Sequence, residues 1–395
     1  MRVGRHVGLQ ALIFFLVSSA FATIYITQPV LPVIRSEFGV SASYASLTVS
    51  AVIFGIALAT LPFGRLADTF PVRPILFTGG SVVIGCSLFC AATKSLPLLV
   101  LARFLQGLFI PSLTTCLVVY LVRSLPQERL NVVMGSYVSA TVVGGLGGRL
   151  LGGWIHPPLH WRYAFVTASV LLALAMAAAA RLLPKEEREP EPVSDTTGFL
   201  ALLSRRELLR TYYVAFGAFF VFSSLFNYLP FYLAGPDFRA STRVITLMYL
   251  SYVAGVAVGP LAGNLSDRIG NGATIAAGSA LFALAILLTF LPSMIAIPAS
   301  LAGVCAGFFT VHAAAAGSLN RRLAAGRGRA NSLYVLFYYL GGSIGITVSG
   351  HAYGHGGWRW VVGIGVLMLC LTFAAGISEM RGGSGRPDAV GAGRG

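Results

Sequence analysis

The sequence predicts an all-α integral membrane protein with twelve transmembrane helices in two pseudo-symmetric six-helix bundles. Of the 395 residues, 56% are apolar and only 10% are charged, and the mean hydropathy is +0.79. Soluble domains carry about 25% charged residues, so this composition excludes a soluble protein. Apolar runs of about 20 residues, long enough to cross a bilayer as helices, and an internal repeat complete the prediction.

The repeat indicates that the two halves of the chain are copies of one unit. The Gly-rich stretch Gly135–Trp154 returns in the second half as Leu333–Gly350. Residues Tyr137, Gly144, Gly148 and Trp161 recur, each 197 positions later, as Tyr334, Gly341, Gly345 and Trp358. A duplicated six-helix unit explains this constant offset.

The apolar runs predict twelve spans. In chain order they lie at about 8–30, 42–62, 74–93, 97–121, 131–154, 161–183, 209–234, 242–264, 272–291, 294–319, 329–352 and 358–377. They give an N-terminal bundle over 1–183, a linker over 184–208, a C-terminal bundle over 209–378 and a tail over 379–395. The charged, proline-containing linker is expected in the cytoplasm, with a short surface helix near Leu200, and the Gly- and Arg-rich tail is expected to be disordered.

The N-terminus has some features of a cleaved secretory signal. Two arginines precede an apolar stretch, and an Ala-Phe-Ala sequence ends at Ala22. The apolar stretch continues to Ile26, however, so an uncleaved first span is the favoured interpretation.

Basic residues predict the orientation of the spans. With both termini in the cytoplasm, 20 Lys or Arg residues lie on the inner side and two lie within spans. The outer side holds six: Arg35, Lys94, Arg162, Arg239, Arg243 and Arg359. We therefore expect a multi-pass protein of the bacterial plasma (inner) membrane.

A short motif follows the second span and returns after the eighth. The first copy runs from Gly64 to Asp68, reading GRLAD, with Arg73 five residues later. The second copy reads GNLSDR and contains Gly263, Asp267 and Arg268. The glycine allows two helices to approach closely, and the aspartate can accept from a helix N-terminus or from an Arg on a neighbouring helix. Such a contact can form in one conformation and break in another; solvated loop charges are the plainer alternative.

These motifs, the twelve spans and the charged central linker resemble the major facilitator superfamily over nearly the whole chain. The family signature is Gly-x-Leu-x-Asp-Arg-x-Gly-Arg-Lys, and the first copy departs from it at Thr69, Pro71 and Val72. The resemblance implies a transporter that works by rocking of its two halves about a site at the membrane midplane.

The fourth span carries Arg103 and Gln106, which resemble the Arg motif of proton-coupled members of the family. An Arg within a span costs about 2.5–3.5 kcal/mol on insertion scales, so it usually faces a cavity or a partner. Snorkelling of Arg103 to the outer headgroups is the alternative.

The Gly-rich fifth span resembles the family's antiporter motif, Gly-x-x-x-Gly-Pro-x-x-Gly-Gly, with Arg149 in place of the proline. This variant is most similar to YnfM-type exporters of the drug:proton antiporter branches, relatives of the arabinose- and sugar-efflux permeases. We expect Gly144 and Gly148 to pack the fifth span against a helix of the other half, and the eleventh span to do the same. Arg149 is expected near the outer mouth, as an outer gate, an anion-attracting charge or a snorkelling residue.

The charges inside the membrane point to the substrate class. All 13 acidic residues fall in connectors, helix ends or tails, whereas the charges within spans are positive. A neutral, zwitterionic or anionic solute is therefore favoured over a lipophilic cation.

Polar side chains near the middle of the spans are the candidate ligands of that solute, although each is more often bonded to a neighbouring helix. Together with the fourth-span pair, the candidates are Thr23, Gln28, Arg103, Gln106, Asn227, Tyr228, His312 and Tyr338. His312 is the first candidate proton carrier, because the unperturbed pKa of histidine lies near neutrality, and Asp68 is the second.

The combined prediction is a proton-coupled exporter that works by alternating access as a monomer, with a small-molecule substrate, protons and the lipid bilayer as its partners. An uncoupled facilitator or an importer of a small organic anion is the alternative. A membrane-embedded enzyme is a remote one, because the six histidines are scattered and most lack a nearby acid. The five cysteines lie in apolar runs without metal-ligand spacing, so no metal is expected, and no cofactor is expected either. The net charge of +15 would suggest nucleic acid in a soluble protein, but here the basic residues follow the membrane orientation, so no nucleic-acid partner is expected.

Overall fold

The computed structural model describes residues 2–125, 127–183, 198–323 and 327–383, and within these ranges every regular element is a helix. By length and composition, ten helical stretches could cross a membrane. One of them, Gly328–Arg381, holds both the eleventh and the twelfth predicted spans. The ten stretches thus account for eleven of the predicted spans. The remaining one, the fifth span, lies on the helix Gln127–Ile155, so each of the twelve predicted spans lies on a helix.

The bounds of the helices follow the predicted spans closely. The N-terminal half contains Arg2–Tyr25, the 3-10 turn Gln28–Val30, Leu31–Phe38, Ala42–Thr69, Val72–Ala92, Leu96–Leu113, Thr115–Ser124, Gln127–Ile155 and Tyr163–Leu182. The C-terminal half contains Phe199–Leu203, Arg206–Ala234, Thr242–Met248, the 3-10 turn Tyr249–Ser251, Tyr252–Ile269, Asn271–Leu288, Ala296–Arg321 and Arg327–Gly383.

The predicted linker and tail lie only partly within the described residues. The helix Phe199–Leu203 occupies the place of the predicted surface helix. The last helix continues to Gly383, so residues 379–383 are helical and not the start of a disordered tail. The remaining parts of the predicted linker and tail, 184–197 and 384–395, lie outside the described residues.

Local sequence sets where the helices begin, break and turn. The Ser41 side chain caps the second span by accepting from the Tyr44 amide, and Ser241 caps the eighth span in the same way. The fourth span is interrupted at Thr114, and three residues earlier Pro111 removes the ladder hydrogen bond to the Gly107 carbonyl oxygen. The eleventh and twelfth spans join at Gly356 and Gly357, where a φ of 62° at Gly357 suits glycine.

In each half, a row of glycines on one helix lies directly against the backbone of another, and we call such a row a glycine seam. The seam of the fifth span has a different partner from the one predicted. A Cβ at Gly144 or Gly148 would meet the backbone of the first span, at the carbonyl oxygens of Ser18 and Ala22. Gly144 and Gly148 therefore pack the fifth span against the first span of its own half, not against a helix of the other half as predicted.

The eleventh span repeats this arrangement against the seventh span. A Cβ at Gly341 would meet the carbonyl oxygen of Phe216, and one at Gly345 would meet that of Phe220. The same glycine positions in both copies thus make the same kind of contact, which supports the duplication seen in the sequence. Among the glycines of the fifth span, Gly153 does approach the other half, at the Thr246 side chain of the eighth span.

Two lines of contact between the halves lie on the fifth and eleventh spans, and the seventh span adds contacts with Leu31–Phe38. We call the end of the bundle formed by the connectors at 39–41, 156–162, 235–241 and 356–357 the distal end. Near it, the fifth span contacts Thr242–Met248 and the turn Tyr249–Ser251 of the eighth span. The second span contacts the eleventh, where Ser343 Oγ donates to the Ser50 carbonyl oxygen at 3.1 Å.

Candidate functional site

Arg103 lies at the centre of a closed network of hydrogen bonds inside the N-terminal half. Its side chain is fully buried, and its Nε donates to the Thr48 carbonyl oxygen at 2.8 Å. Its NH1 donates to the Thr23 carbonyl oxygen at 2.6 Å, and its NH2 donates to that of Ile24. The guanidinium therefore ties the fourth span to the first and second spans, and it does not snorkel to headgroups.

Gln106 completes the network around Arg103. Its Oε1 accepts from NH1 of Arg103, and its Nε2 donates to Ser87 Oγ at 2.6 Å. The Thr23 hydroxyl donates within its own helix, to the Ala20 carbonyl oxygen at 2.7 Å. Substrate contact by Arg103, Gln106 and Thr23 stays a prediction, and the protein partners that each of them already has favour a structural role.

Arg149 is the second buried arginine, with 3% of its surface exposed, and it lies on the line of contact between the halves. Its Nε donates to Gln28 Oε1 at 2.7 Å, and its NH1 donates to the Gly145 carbonyl oxygen at 2.7 Å. The predicted seam glycines position this side chain, because they bring the fifth span against the first span, which carries Gln28.

Three tyrosines surround the guanidinium of Arg149, and we call them the tyrosine box. The guanidinium carbon lies 3.9 Å from the ring centroid of Tyr25, 4.5 Å from that of Tyr252 and 5.5 Å from that of Tyr249. Cations over aromatic faces at such distances are attracted electrostatically. Since Tyr249 and Tyr252 belong to the eighth span, the box joins the two halves.

Hydrogen-bond donors without acceptors cluster around Arg149. Its NH2 takes part in no hydrogen bond with a described residue. The Nε2 of Gln28 and the hydroxyl of Tyr252 are buried, and neither finds a partner among the described residues. Buried polar groups are almost always paired in native proteins, so this group is suited to a ligand that accepts hydrogen bonds.

Aromatic rings lead from the tyrosine box into the C-terminal half. The Tyr252 ring lies 5.2 Å from that of Phe222, which stacks on Phe308 at 3.9 Å. Phe308 in turn faces His312 at 5.9 Å, measured between ring centroids. Aromatic contacts at these distances are stabilising and form one continuous path.

Tyr338 and His312 lie side by side on this path, and both are half-buried. Tyr338 stacks on Phe219 at a centroid distance of 3.8 Å, and its ring lies 5.3 Å from that of His312. His312 Nδ1 lies 3.0 Å from the Tyr334 hydroxyl. The other ring nitrogen, Nε2, has no hydrogen bond with a described residue.

Asn227 and Tyr228 differ although they are neighbours on the seventh span. The side-chain nitrogen and oxygen of Asn227 are both buried, and neither has a hydrogen-bond partner among the described residues. The sequence predicts a partner on a neighbouring helix for this amide, and the described residues do not supply one. The Tyr228 hydroxyl donates to the Ile346 carbonyl oxygen at 3.0 Å and so ties the seventh span to the eleventh. Asn227 keeps a free polar group for a ligand, whereas Tyr228 has a structural bond.

The two copies of the short motif each form an ion pair within their own half. Asp68 pairs with Arg123 of the fourth span at 3.4 Å, and Asp267 pairs with Arg321 of the tenth span at 2.7 Å. An Arg on a neighbouring helix was one of the two partners predicted for these aspartates. Neither pair crosses between the halves.

The other residues of the motif have different surroundings. Arg73 donates to the Ala180 carbonyl oxygen at 2.7 Å, at the end of the sixth span, and Arg268 is exposed. A Cβ at Gly64 would lie 3.9 Å from Thr115, an ordinary contact, and one at Gly263 would meet nothing within 4 Å. The close helix approach predicted at these two glycines is therefore absent from this conformation.

The structure thus brings Gln28 and Arg149 together, and a path of aromatic rings connects them with His312 and Tyr338. The Arg103 network has partners of its own, at the carbonyls of Thr23 and Ile24. Sequence reasoning missed the tyrosine box. Its signal is the pair Tyr249 and Tyr252, three positions apart on a helix, which places both rings on one face. No cluster of three His, Cys, Asp or Glu side chains that could hold a metal occurs among the residues with described side chains.

Comparisons with known proteins agree with this architecture. A family model described as Major Facilitator Superfamily matches residues 13–256 and 234–392. The chain is 28% identical to the inner membrane transport protein YnfM of Escherichia coli K12, over 91% of this chain and 87% of that protein. It is 27% identical to the uncharacterized MFS-type transporter YybF of Bacillus subtilis, over 89% and 88% of the two chains. It is 30% identical to the uncharacterized transporter YgaY of Escherichia coli O157:H7, over 87% and 88%.

Proposed function

Because the chain belongs to the Major Facilitator Superfamily, we propose that it is a proton-coupled exporter of a small neutral, zwitterionic or anionic solute. It works by alternating access, as a monomer in the bacterial plasma membrane with both termini in the cytoplasm, so the distal end faces outward. The relatives named above are described as transporters, which supports transport over catalysis.

One observation carries the proposal: the buried guanidinium of Arg149 has a free donor and no acidic partner. Among the described residues no carboxylate pairs with it, and the tyrosine box offers only the faces of neutral rings. A cation buried in this way is stabilised when a negative group binds to it. A solute that carries or accepts negative charge fits this site better than a cation does.

The position of Arg149 supports alternating access about the same site. The tyrosine box holds the fifth and eighth spans together near the distal end, through rings that come from both halves. A solute bound to the guanidinium would contact groups of both halves at once. Binding and closure of the distal end would therefore depend on each other.

His312 is the favoured proton carrier, and Asp68 the second. The His312 ring lies 5.3 Å from the Tyr338 ring on the aromatic path that leads from Arg149, and its Nε2 has no hydrogen bond with a described residue. Asp68 is engaged with Arg123 in an ion pair away from that path. A proton on His312 would add a positive charge in the half that does not contain Arg149. This charge would interact with a charged solute bound between the two residues, so protonation and solute binding would be coupled.

The test of coupling uses purified protein in liposomes that contain a pH-sensitive dye. A panel of sugars, carboxylates, amino acids and antibiotics is added from outside under an imposed pH gradient. A proton flux that depends on one solute, and that falls at least tenfold in His312→Gln, supports the exporter. His355→Gln, at the exposed distal end, is the matched control and should leave the flux unchanged.

The alternative is an uncoupled facilitator or an importer of a small organic anion. Solute movement that is indifferent to the pH gradient would contradict proton coupling and favour the facilitator. Uptake driven into right-side-out vesicles by the gradient would contradict export and favour the importer.

A further inference from the structure

We propose that the transported solute is an aromatic carboxylate, whose carboxylate binds Arg149 and whose ring packs against Tyr338. This inference rests on the proposed transport function, which it makes more specific. It joins two features that meet at Tyr252, a cluster of unpaired donors and a wall of aromatic rings that leads to Tyr338.

The donors around Arg149 define the polar end of the solute. NH2 of Arg149 and Nε2 of Gln28 can only donate hydrogen bonds, and the unpaired Tyr252 hydroxyl can also donate. An acceptor for three donors needs several lone pairs on closely spaced atoms. A carboxylate supplies two oxygens with about four lone-pair sites. It also supplies a negative counter-charge, and no described residue provides one for Arg149.

A neutral acceptor fits this end less well. A sugar hydroxyl or an amide carbonyl satisfies one or two donors but leaves the guanidinium without a counter-charge in a low-dielectric environment. Hydrogen bonds between charged partners are about twice as strong as neutral ones. The polar end of the site therefore selects an anion.

The aromatic wall defines the other end. Two rings connect the half-buried Tyr338 to the tyrosine box. Between ring centroids, Tyr252 lies 5.2 Å from Phe222, Phe222 lies 6.4 Å from Phe219, and Phe219 lies 3.8 Å from Tyr338. One face of that ring is covered by Phe219, at an interplanar angle of 11°. A planar ring that packs on the remaining surface extends this stack, and aromatic pairs gain stabilisation beyond the area they bury.

An aliphatic anion would bind the same arginine but would not gain from stacking. Around the site the rings of Tyr25, Tyr249, Tyr252 and Tyr338 all present π surfaces or edges. Ligand sites are usually apolar surfaces with a few convergent polar groups that fix orientation. Here the apolar surface is aromatic and the convergent groups are donors, which together select an aromatic carboxylate.

The test measures binding to the purified full-length protein in nanodiscs by calorimetry, with three matched probes. 2-Naphthoate carries both features, 2-naphthamide keeps the ring without the charge, and decahydro-2-naphthoate keeps the charge without the aromatic ring. We expect 2-naphthoate to bind about tenfold or more tightly than either of the other two. Equal binding of acid and amide, or of aromatic and saturated acid, would overturn the inference.

Two variants assign the selectivity to residues. Arg149→Gln should remove the preference for naphthoate over naphthamide, and Tyr338→Leu should remove the preference for naphthoate over its saturated analogue. Arg359→Gln, exposed near the distal end, is the control and should keep both preferences. If Arg149→Gln fails to fold, Tyr252→Phe removes one donor alone and should lower naphthoate affinity more than naphthamide affinity. An unchanged naphthoate affinity, or an equal loss for the two probes, would contradict the donor cluster.

Transport is measured separately, so that the two proposals can fail independently. Selective naphthoate binding that depends on Arg149 without any transport of naphthoate would keep the site assignment and contradict the proposed function for this solute. Coupled transport of a non-aromatic solute by protein that does not bind naphthoate would keep the proposed function and overturn this inference.

Discussion

The two buried arginines of the N-terminal half have opposite surroundings. All three nitrogens of Arg103 donate to carbonyl or amide oxygens of the protein. Arg149 donates through two nitrogens, rests against the tyrosine box and keeps NH2 free of protein hydrogen bonds. Both residues are almost fully buried, so burial alone does not distinguish them.

The difference lies in what remains for a ligand. A guanidinium saturated by backbone carbonyls has fixed partners in every conformation that keeps the first, second and fourth spans together. A guanidinium over tyrosine faces is held by non-directional attraction, and its free donor can bind another molecule. An arginine within a membrane span can therefore be a structural bond or a binding site, according to how many of its donors the protein already uses.

The sharpest test of this comparison is stability. Arg103→Met keeps much of the side-chain volume but leaves the carbonyls of Thr23, Ile24 and Thr48 without their donor. We expect the free energy of unfolding to fall by about 3 kcal/mol or more. The measurement is denaturant unfolding in detergent micelles, followed by circular dichroism.

Arg149→Met is the matched variant, because it removes the same charge from the same half. Its loss of stability should be smaller, about 1–2 kcal/mol, since fewer groups lose a partner. Equal losses in the two variants would contradict the distinction between a saturated and an available arginine.

The next largest effect should come from the seam that positions Arg149. Gly148→Ala places a Cβ against the Ala22 carbonyl oxygen, where backbone must move, and should destabilise the fold by roughly 1–3 kcal/mol. Gly345→Ala should cost a similar amount, since its Cβ would meet the carbonyl oxygen of Phe220. The thermal midpoint of each purified variant measures the effect.

Gly147→Ala is the control for the seam. Its Cβ meets nothing within 4 Å, so the substitution should be neutral or stabilising by up to about 1 kcal/mol. Destabilisation of Gly147→Ala to the same degree would mean that helix contacts along the seam are not the cause.

A smaller effect should appear in the balance between conformations. Tyr252→Leu removes a cation–π contact that crosses between the halves, worth roughly 0.5–2 kcal/mol. We expect a larger population with the distal end open. In a background without native cysteines, spin labels at Trp154→Cys and Arg243→Cys should show longer distances in this variant, and an unchanged distance distribution would count against the box as a closing contact.

The smallest effect should come from the exposed ion pairs of the repeated motif. Asp267→Asn should change the free energy of unfolding by less than about 1 kcal/mol, because both partners of its pair with Arg321 are at least half-exposed. Asp68→Asn should also cost less than about 1 kcal/mol: Arg123 is only 22% exposed, but the pair is long, at 3.4 Å, and Asp68 itself is 43% exposed. A large loss in either variant, measured by the same unfolding experiment as for Arg103→Met, would show that these pairs contribute more than their exposure indicates.

Much of the fold could be predicted from the sequence because helices in a bilayer follow directly from composition and length. The apolar runs predicted helices at all twelve places, and the constant offset predicted the repeated contacts of Gly148 and Gly345. The sequence also predicted the type of partner that Asp68 has, because an Arg on a neighbouring helix was one of the two partners expected for it.

The sequence could not identify which helices meet. Small residues at Gly144 and Gly148 predict a smooth face, but the identity of the facing helix depends on how the whole bundle packs, and the predicted partner was wrong. The same limit applies to Arg103, whose partners are backbone carbonyls that have no sequence signature. The tyrosine box arises only when the fifth and eighth spans come together.

The two contact lines between the halves differ in chemistry, and this affects how the distal end can open. Position 346 in the second copy corresponds to Arg149, and there Ile346 is buried and its carbonyl oxygen accepts from Tyr228 within the same half. Binding or release of an anion at Arg149 thus acts on the line between the fifth and eighth spans and leaves the Ser343–Ser50 bond of the other line intact. We expect the halves to separate as a wedge, pivoting on the second and eleventh spans, and not as a symmetric pair of jaws.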